Sequence, residues 1–405
     1  MACTQLRLGL AGLGAGTINA LPELAAHPNY RITAAADIRP AALARFVSDF
    51  GGEAYDSIEA MCHSRNVDVV HILTPNRFHA QHALAAIEAG KHVICDKPMA
   101  TTLVDCDAMI QAAERKGVRL LVGHTQSLDP AIRRMASIIG EGEIGRPIMV
   151  NSWFYTDWLY RPRDSYELDP SQGEGLVMRQ APVQVDIARM LSGGRAKSVR
   201  AVTTALAANR PIEGSYSCFL EFESGLAATL VCSAYAHFDS AELTFGIGLQ
   251  GSSAAADGHL RSRQLIAGFP TPEDERSYKE ATRYGGERSP KDLLKRKPPD
   301  RHAFFGLTIA SCERGDIRQS PQGLFVYTAE GRSEIPIDPS KRYTTAELDM
   351  MYDAWVRDQP LPSHDGPWGK ATLEVCLGIL ESSRSGQTVA MAQQTDYRIQ
   401  GDARS

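Results

Sequence analysis

The sequence predicts an α/β protein in which an N-terminal doubly wound parallel sheet is followed by an α+β domain built on a large, mostly antiparallel open sheet. Three observations carry this expectation. Short apolar runs alternate with helical patterns through the first 125 or so residues. Longer segments with period-two alternation follow them. The 405 residues also exceed the roughly 250 to 300 that a single core serves, so two domains sharing a cleft are expected, with boundaries at 1–125 and 126–405.

In order along the chain, Leu6 to Ala11 is an apolar run that ends in glycines, and Ile18, Leu21 and Leu24 then recur at helical spacing. Arg31 to Ala36 reads as a second strand ending at Asp37, and Pro40 to Phe50 as a second helix. Val67 to Leu73 reads as a buried strand stopped by Thr74, Pro75 and Asn76. A helix over Ala80 to Ala89 stops at Gly90, a strand runs from Lys91 to Cys95, and a helix over Leu103 to Lys116 is closed by Gly117 before a strand from Val118 to Val122. Beyond His124 the strand-like segments are Ile148 to Tyr155, Ser198 to Thr204, Ser217 to Glu223 and Ala227 to Ala234. Helices over Pro130 to Ile139, Val183 to Leu191, Thr344 to Arg357 and Gly369 to Ser383 are expected to cover one face of their sheet. The other face needs a partner, which predicts a homo-oligomer. Residues 269–300 are charged, rich in Pro and Gly and poor in aliphatic side chains, the composition of a mobile arm.

Composition excludes several classes. The net charge is −5 with signs mixed along the chain, so no basic face for nucleic acid is expected. No run of about 18 apolar residues suggests a membrane span, and the N-terminus lacks the look of a signal peptide, which predicts a cytoplasmic protein. The eight cysteines are scattered without a C-x-x-C pair, and no carboxylate or cysteine completes a metal set around His79 and His82, so no metal is expected.

The turn Gly12-Leu13-Gly14-Ala15-Gly16-Thr17, between a strand and a helix, has the context of a dinucleotide-binding fingerprint. Gly12 permits the tight turn, Gly14 lets the backbone approach a pyrophosphate, and the helix N-terminus offers free N–H groups. Thr17 stands where Gly or Ala is usual, and Pro22 is expected to perturb the helix. Asp37 ends the second strand, where a carboxylate grips a ribose diol, and it favours NAD over NADP because it repels a 2′-phosphate. Arg39 blurs that preference, since a guanidinium there could stack on adenine or meet a phosphate. Gly12, Gly14, Ala15, Gly16, Thr17, Ile18, Asp37 and Arg39 are thus cofactor candidates.

The stretch VDVVHILTPNRFHAQHALAAIEAGKHVICDKP, from Val67 to Pro98, resembles the glucose-fructose oxidoreductase / inositol dehydrogenase (Gfo/Idh/MocA) family. The resemblance spans essentially the whole chain. It implies an N-terminal Rossmann domain, a nicotinamide cofactor, and a dimer or tetramer. It also implies that Thr74, Pro75, Asn76 and His79 lie along the cofactor, and that Asp96-Lys97-Pro98, in place of the usual Glu-Lys-Pro, brings Lys97 to the nicotinamide and substrate. A cation beside the reacting oxygen suits a reaction in which hydride leaves carbon while a proton leaves the hydroxyl.

The family's second motif places a histidine and, three residues on, an aspartate on one helix. Here Gly173 to Asp186 supplies Asp186, but Val183 occupies the histidine position, and valine cannot move a proton. Two explanations stay open. Lys97 handles the proton alone, with Asp186 or Gln184 orienting the substrate, or the reaction needs no strong base.

Trp153 to Arg163 (WFYTDWLYRPR) concentrates aromatics and arginines, and Arg179 lies in the glycine motif; such groups suit a flat, anionic substrate. Tyr155, Tyr160, Arg161 and Arg179 are the substrate candidates, with His124 at the end of the last parallel strand. Together with RQAPVQVDI and HDGPWGKATLEVCLGILESS, this region is similar to the branch containing phthalate cis-4,5-dihydrodiol dehydrogenases. That similarity implies oxidation of a carboxylated cis-dihydrodiol to a catechol, helped by aromatisation. The alternatives are a sugar or polyol dehydrogenase, a reductase of an unsaturated or substituted ring, and a non-catalytic NAD(H)-binding sensor.

Overall fold

The computed structural model describes residues 5–123, 125–255, 257–296, 301–340 and 342–397. The chain divides into two compact units, and the division departs from a cut near residue 125. The first unit takes Met1–Gly123 together with Glu273–Pro298 and Thr344–Lys370, and the second takes the intervening segments and the C-terminal remainder.

In the first unit the chain alternates strand and helix: β1 (Leu6–Ala11), α1 (Ala15–Ala26), β2 (Tyr30–Ala36), α2 (Pro40–Phe50), β3 (Glu53–Tyr55), α3 (Ile58–Cys62), β4 (Val69–Ile72), α4 (His79–Glu88), β5 (His92–Asp96), α5 (Leu103–Lys116) and β6 (Leu120–Gly123). The six strands form one parallel sheet in the order β3-β2-β1-β4-β5-β6. The central strands are buried almost throughout, which is why they read as continuous apolar runs rather than alternating ones. Their burial contributes about 1.5 to 3 kcal/mol for each large aliphatic side chain. The order reverses between β1 and β4, so the turns that follow these two strands flank the topological switch point. Pro22 lies inside α1, and the helix continues through it to Ala26.

In the second unit come α6 (Pro130–Gly140), β7 (Pro147–Tyr155), α7 (Leu176–Ser192), β8 (Ala196–Thr204), β9 (Ser215–Phe222), β10 (Ala227–Ser233) and α8 (Gly258–Ala267). Its further strands are β11 (Leu307–Cys312), β12 (Gly315–Gln319), β13 (Gly323–Thr328), β14 (Gly331–Pro336) and β15 (Val389–Ala390); α9 (Pro272–Thr282) and α10 (Tyr343–Val356) fall almost wholly in the first unit's segments, and the division falls within α11 (Gly366–Ser385). Nine strands pair in the order β14-β13-β12-β11-β7-β10-β9-β8-β15, antiparallel except where β7 meets β10. The even-numbered residues of β9 and β10 are buried while the odd-numbered ones face outward, and α6 and α7 pack on the sheet.

The segment whose composition suggests a mobile arm instead carries helix α9 and a built docking surface within the first unit. Tyr284 is wholly buried and donates its hydroxyl to Asp49 at 2.7 Å, while Arg45 lies over its ring and bonds Ser289 and the carbonyl of Pro290. Gly285, at φ +81°, comes so close to α2 that a Cβ would sit 2.5 Å from Cα of Ala42. A tyrosine, a glycine, Leu293 and two ionic partners on α2 do here what aliphatic side chains usually do.

Candidate active site

The first unit gathers most of the cofactor candidates around the switch point. Gly12 has φ +93°, and a Cβ there would lie 3.0 Å from Cγ2 of Thr74 and 3.1 Å from the carbonyl of Leu73, so this turn admits no side chain. Gly14 precedes α1 in extended conformation, a Cβ on it would meet nothing within 4 Å, and the first turn of α1 has neither a side-chain cap nor an acidic residue. Ala15 and Gly16 are exposed and Ile18 half-buried. An uncapped helix start with open space before it fits an anionic pyrophosphate. Thr17 explains its own departure from the motif: it is buried, and its hydroxyl donates to the Gly12 carbonyl at 2.8 Å, tying the turn.

Asp37 is anchored. Its carboxylate accepts from the backbone N–H of Leu13 (2.7 Å) and of Arg39 (2.9 Å) and from Nε of Arg39 (3.0 Å). Arg39 in turn donates to the carbonyls of Leu13 (2.6 Å) and Tyr284 (3.1 Å) and pairs with Glu280.

The loop after β4 and the loop after β5 are joined through His79. This residue is 1% exposed, with Nδ1 2.7 Å from the carbonyl of Pro98 and Nε2 2.7 Å from that of Thr74. Carbonyl oxygens only accept, so both bonds form together only when each ring nitrogen carries a hydrogen. The structure thus places His79 as a brace under the Thr74-Pro75-Asn76 turn rather than at its surface; Asn76 is buried too, and Thr74 pairs its hydroxyl with Nδ1 of His82. The backbone N–H of Lys97 donates to Oδ1 of Asp96 at 2.8 Å, and Oδ2 of Asp96 lies 3.9 Å from where a Cβ on Gly16 would be. Asp96 therefore holds the lysine loop by its backbone and lies close to the start of α1.

Two buried titratable residues beside Asp96 escaped the sequence reading. His71 on β4 is 4% exposed, and burial lowers its pKa to about 4, with Asp96 opposing the shift. Glu347 on α10 is 2% exposed, and burial, followed by the negative charges of Asp96 and Glu23, raises its pKa well above the usual carboxylate range. A polar residue amid the apolar run of β4 was the available signal for the first, and an acid on the stripe Tyr343, Ala346, Met350, Met351 and Ala354 for the second. His92, stacked near Trp355, is likewise lowered to about 4 by burial and then by Arg119. Because both histidines bind protons less well folded than unfolded, their stabilising effect is complete above the unfolded pKa near 6.5 and is lost as pH falls toward about 4. The urea midpoint should fall steeply across that window, and His71→Asn should flatten the fall; an unchanged slope would refute the assignment.

In the second unit the aromatic and arginine candidates form an internal ionic cluster. Arg161 pairs with Asp157 (2.7 Å). Arg163 lies over the Trp158 ring at 3.9 Å and meets Glu167, and burial together with neighbouring Arg161 and Arg179 lowers its pKa. Arg179 donates to Glu174 at 2.6 Å and lies 3.6 Å from Glu167. Tyr155 packs edge-on against Phe238, Tyr160 stacks under Arg263, and Trp153 points out of the open sheet face at 38% exposure. Gly175 is required at the start of α7: its φ is +113°, and a Cβ would fall 2.5 Å from Oε1 of Glu213, which accepts from the N–H of Val177.

On α7, Val183, Gln184 and Asp186 are all buried. Gln184 faces the sheet, donating to Ser152 and the carbonyl of Val231 and accepting from the Tyr216 hydroxyl at 2.5 Å. Its amide is used on both ends, so the structure gives it a packing role in place of the expected substrate-orienting one. Asp186 lies within electrostatic reach of Tyr397, whose pKa burial raises to about 12. His124 lies outside the described residues. Among the described residues no three His, Cys, Asp or Glu side chains converge as a metal-binding group, and no helix is long and apolar enough to cross a membrane.

Comparison with known proteins completes the assignment. Residues 6–124 match the model of an oxidoreductase family with an NAD-binding Rossmann fold, GFO_IDH_MocA, and residues 132–253 match the GFO/IDH/MocA C-terminal domain. The chain belongs to the Gfo/Idh/MocA family. It is therefore an NAD-binding oxidoreductase of that family, as the motif between β1 and α1 implies. It is 35% identical over 381 residues, 94% of this chain and 95% of the other, to a 1-carboxy-3-chloro-3,4-dihydroxycyclohexa-1,5-diene dehydrogenase of Comamonas testosteroni. A 1,5-anhydro-D-fructose reductase of Ensifer adhaerens is 27% identical over 83% of each chain. Among solved structures, one assigned as a dehydrogenase from Bordetella bronchiseptica RB50 superposes with a TM-score of 0.89 at 36% identity, covering 96% of this chain and all of that one.

Proposed function

We propose that this protein oxidises a carboxylated, ring-derived cis-diol to the corresponding catechol with NAD, and that Lys97 takes the hydroxyl proton. The observation that carries the substrate class is the near full-length likeness to the Comamonas dehydrogenase, whose name specifies a carboxylated dihydroxycyclohexadiene. The chemistry accommodates Val183: oxidation of such a diol leads to an aromatic ring, and that driving force lowers the demand on a base.

The cofactor assignment rests on the residues of the first unit. The backbone N–H groups at the start of α1, with Gly12, Gly14, Ala15, Gly16, Thr17 and Ile18, hold the pyrophosphate; Asp37 meets the ribose, and Thr74, Pro75 and Asn76 line the path toward Lys97. Arg39 is committed to Asp37, Leu13 and Tyr284, which supports NAD over NADP. Bound NAD supplies the hydride acceptor. Lys97 stabilises the oxygen that loses its proton, and His79 holds the loops carrying Thr74 and Pro98 in register. In the second unit, Tyr155, Tyr160, Arg161 and Arg179 are assigned to the substrate and Asp186 to its orientation. Arg161 is the strongest of these: its side chain is 44% exposed, and its Nη1 has no partner among the described residues.

A kinetic test follows. Initial rates of NADH formation on a carboxylated cis-diol, the same diol without its carboxylate, and inositol should rank in that order, with roughly 100-fold or more in kcat/KM between the first two. Equal turnover of inositol would overturn the substrate reading. We also propose that a second copy of the chain covers the outward face of the nine-stranded sheet, where Met149, Trp153, Val202 and Phe219 are exposed. Light scattering should report a dimer or tetramer, and Phe219→Lys with Trp153→Lys should shift it to monomer; an oligomer that survives both changes is built elsewhere.

A further inference from the structure

The carboxyl group of Glu347 sits where an ionised acid is costly. It is 2% exposed, its Oε1 is buried without a hydrogen-bond partner, and a methyl group placed on Gly123 would lie 3.1 Å from that oxygen. Gly123 is paired across the sheet with Asp96, so α10 delivers this acid to the carboxyl ends of β5 and β6, next to the residue whose side chain receives the Lys97 N–H. The charged groups that face Glu347 are Asp96 from β5 and Glu23 from α1, both negative. His71, from β4, faces Asp96, and its Nδ1 is likewise buried without a hydrogen-bond partner. Ionising Glu347 would therefore add negative charge to a buried pocket already faced by carboxyl groups.

We propose that Glu347 is a positioning residue for Lys97 that acts through Asp96: it is carried as the uncharged acid, so that the Glu347 and Asp96 carboxyls together hold one negative charge. The inference rests on the reading of Lys97 as the proton-transfer residue. One charge matters because a lysine that accepts a proton must spend part of its time neutral, and each extra carboxylate nearby favours the ammonium form. While Glu347 stays protonated, Asp96 is the one member of this pair that exerts that pull. An ionised Glu347 would raise the pH at which Lys97 becomes neutral and delay the rise of turnover with pH. The uncharged acid thus keeps the onset of turnover at lower pH without touching substrate.

Infrared spectroscopy of the full chain at neutral pH tests the protonation. A carboxylic-acid stretch should be present in the parent, absent in Glu347→Gln and displaced in Asp96→Asn. Absence of the band from the parent overturns the inference, and this reading does not depend on the variant folding. The pH profile of kcat/KM on the carboxylated diol tests the linkage. Asp96→Asn should move the acid limb, along which Lys97 becomes a base, downward by about one pH unit or more, while Glu347→Gln leaves it in place because the parent acid is already uncharged. A downward shift in Glu347→Gln, or an unmoved limb in Asp96→Asn, would overturn the inference even with the band in place. Lys97→Ala separates the two readings: full turnover in that variant refutes the proposed function, yet leaves the infrared band where it is.

Discussion

Replacing Lys97 by alanine should lower kcat by about 10²- to 10⁴-fold, the range in which a positioned proton-transfer group contributes. That corresponds to roughly 2.7 to 5.5 kcal/mol of barrier. The loss should appear in kcat and not in NAD affinity. The groups assigned to the dinucleotide are backbone N–H groups at the start of α1 and the Asp37 carboxylate, neither of which relies on the lysine side chain. Stopped-flow measurement of NADH formation, with NAD titrated by tryptophan fluorescence quenching, separates the two quantities. Lys97→Arg provides the contrast: it keeps a cation near the oxygen but cannot give up its charge at ordinary pH, so a base role predicts little recovery and a purely electrostatic role predicts much. An unimpaired Lys97→Ala enzyme would remove this residue from the chemistry.

The largest stability effect is expected at Arg179. Glu174 and Glu167 have side chains that are 0% and 5% exposed, and Arg179 is a counterion to both. Removing one member of a buried ion pair leaves an unpaired charge, at a cost of about 3 to 5 kcal/mol. Because the guanidinium is 25% exposed and Arg163 also reaches Glu167, Arg179→Met should fall toward the lower end, about 3 kcal/mol, by urea unfolding. Glu174→Gln added to Arg179→Met should restore part of this, since the orphaned charge is then gone. A cost below about 1 kcal/mol would mean that the cluster is solvated in solution.

Sequence and structure agree where local physics is strong. The β1–turn–α1 unit was legible because a buried parallel strand must be apolar throughout and the turn at Gly12 excludes a Cβ. The positions of Asp37, Asp96 and Lys97 at strand ends were legible from the apolar runs before them: Asp37 follows β2, and Asp96 closes β5 just before Lys97. What was missed depends on distant partners. β3 has three residues and α3 five, too short for a periodic signal, and β11 to β14 carry polar residues that blur their alternation. The docking of residues 284 to 293 turns on one tyrosine and one glycine, which no count of aliphatic side chains registers. Gln184 was assigned to the substrate because periodicity cannot say which neighbour a helix face meets when nearly every residue from Ala181 to Ser192 is buried. Glu347 was invisible for the same reason: its setting comes from β5 and α1, some 250 and more residues upstream.

The interleaved composition of the first unit also governs how it is born. Strand β6 finishes at Gly123, yet the N–H of Val122 bonds the carbonyl of His364, and Leu121 bridges to Asp365. Thr344, where that unit's last segment begins, comes 221 residues after Gly123. At a ribosomal pace of about 5 to 20 residues per second, this sheet waits roughly 10 to 45 s with its last edge unclothed. A nascent chain in that state offers an unpaired β-edge to chaperones or to its neighbours. A gene fragment that stops at Gly123 would make the exposure permanent, so the dinucleotide-binding unit should be expressed only as part of the whole chain.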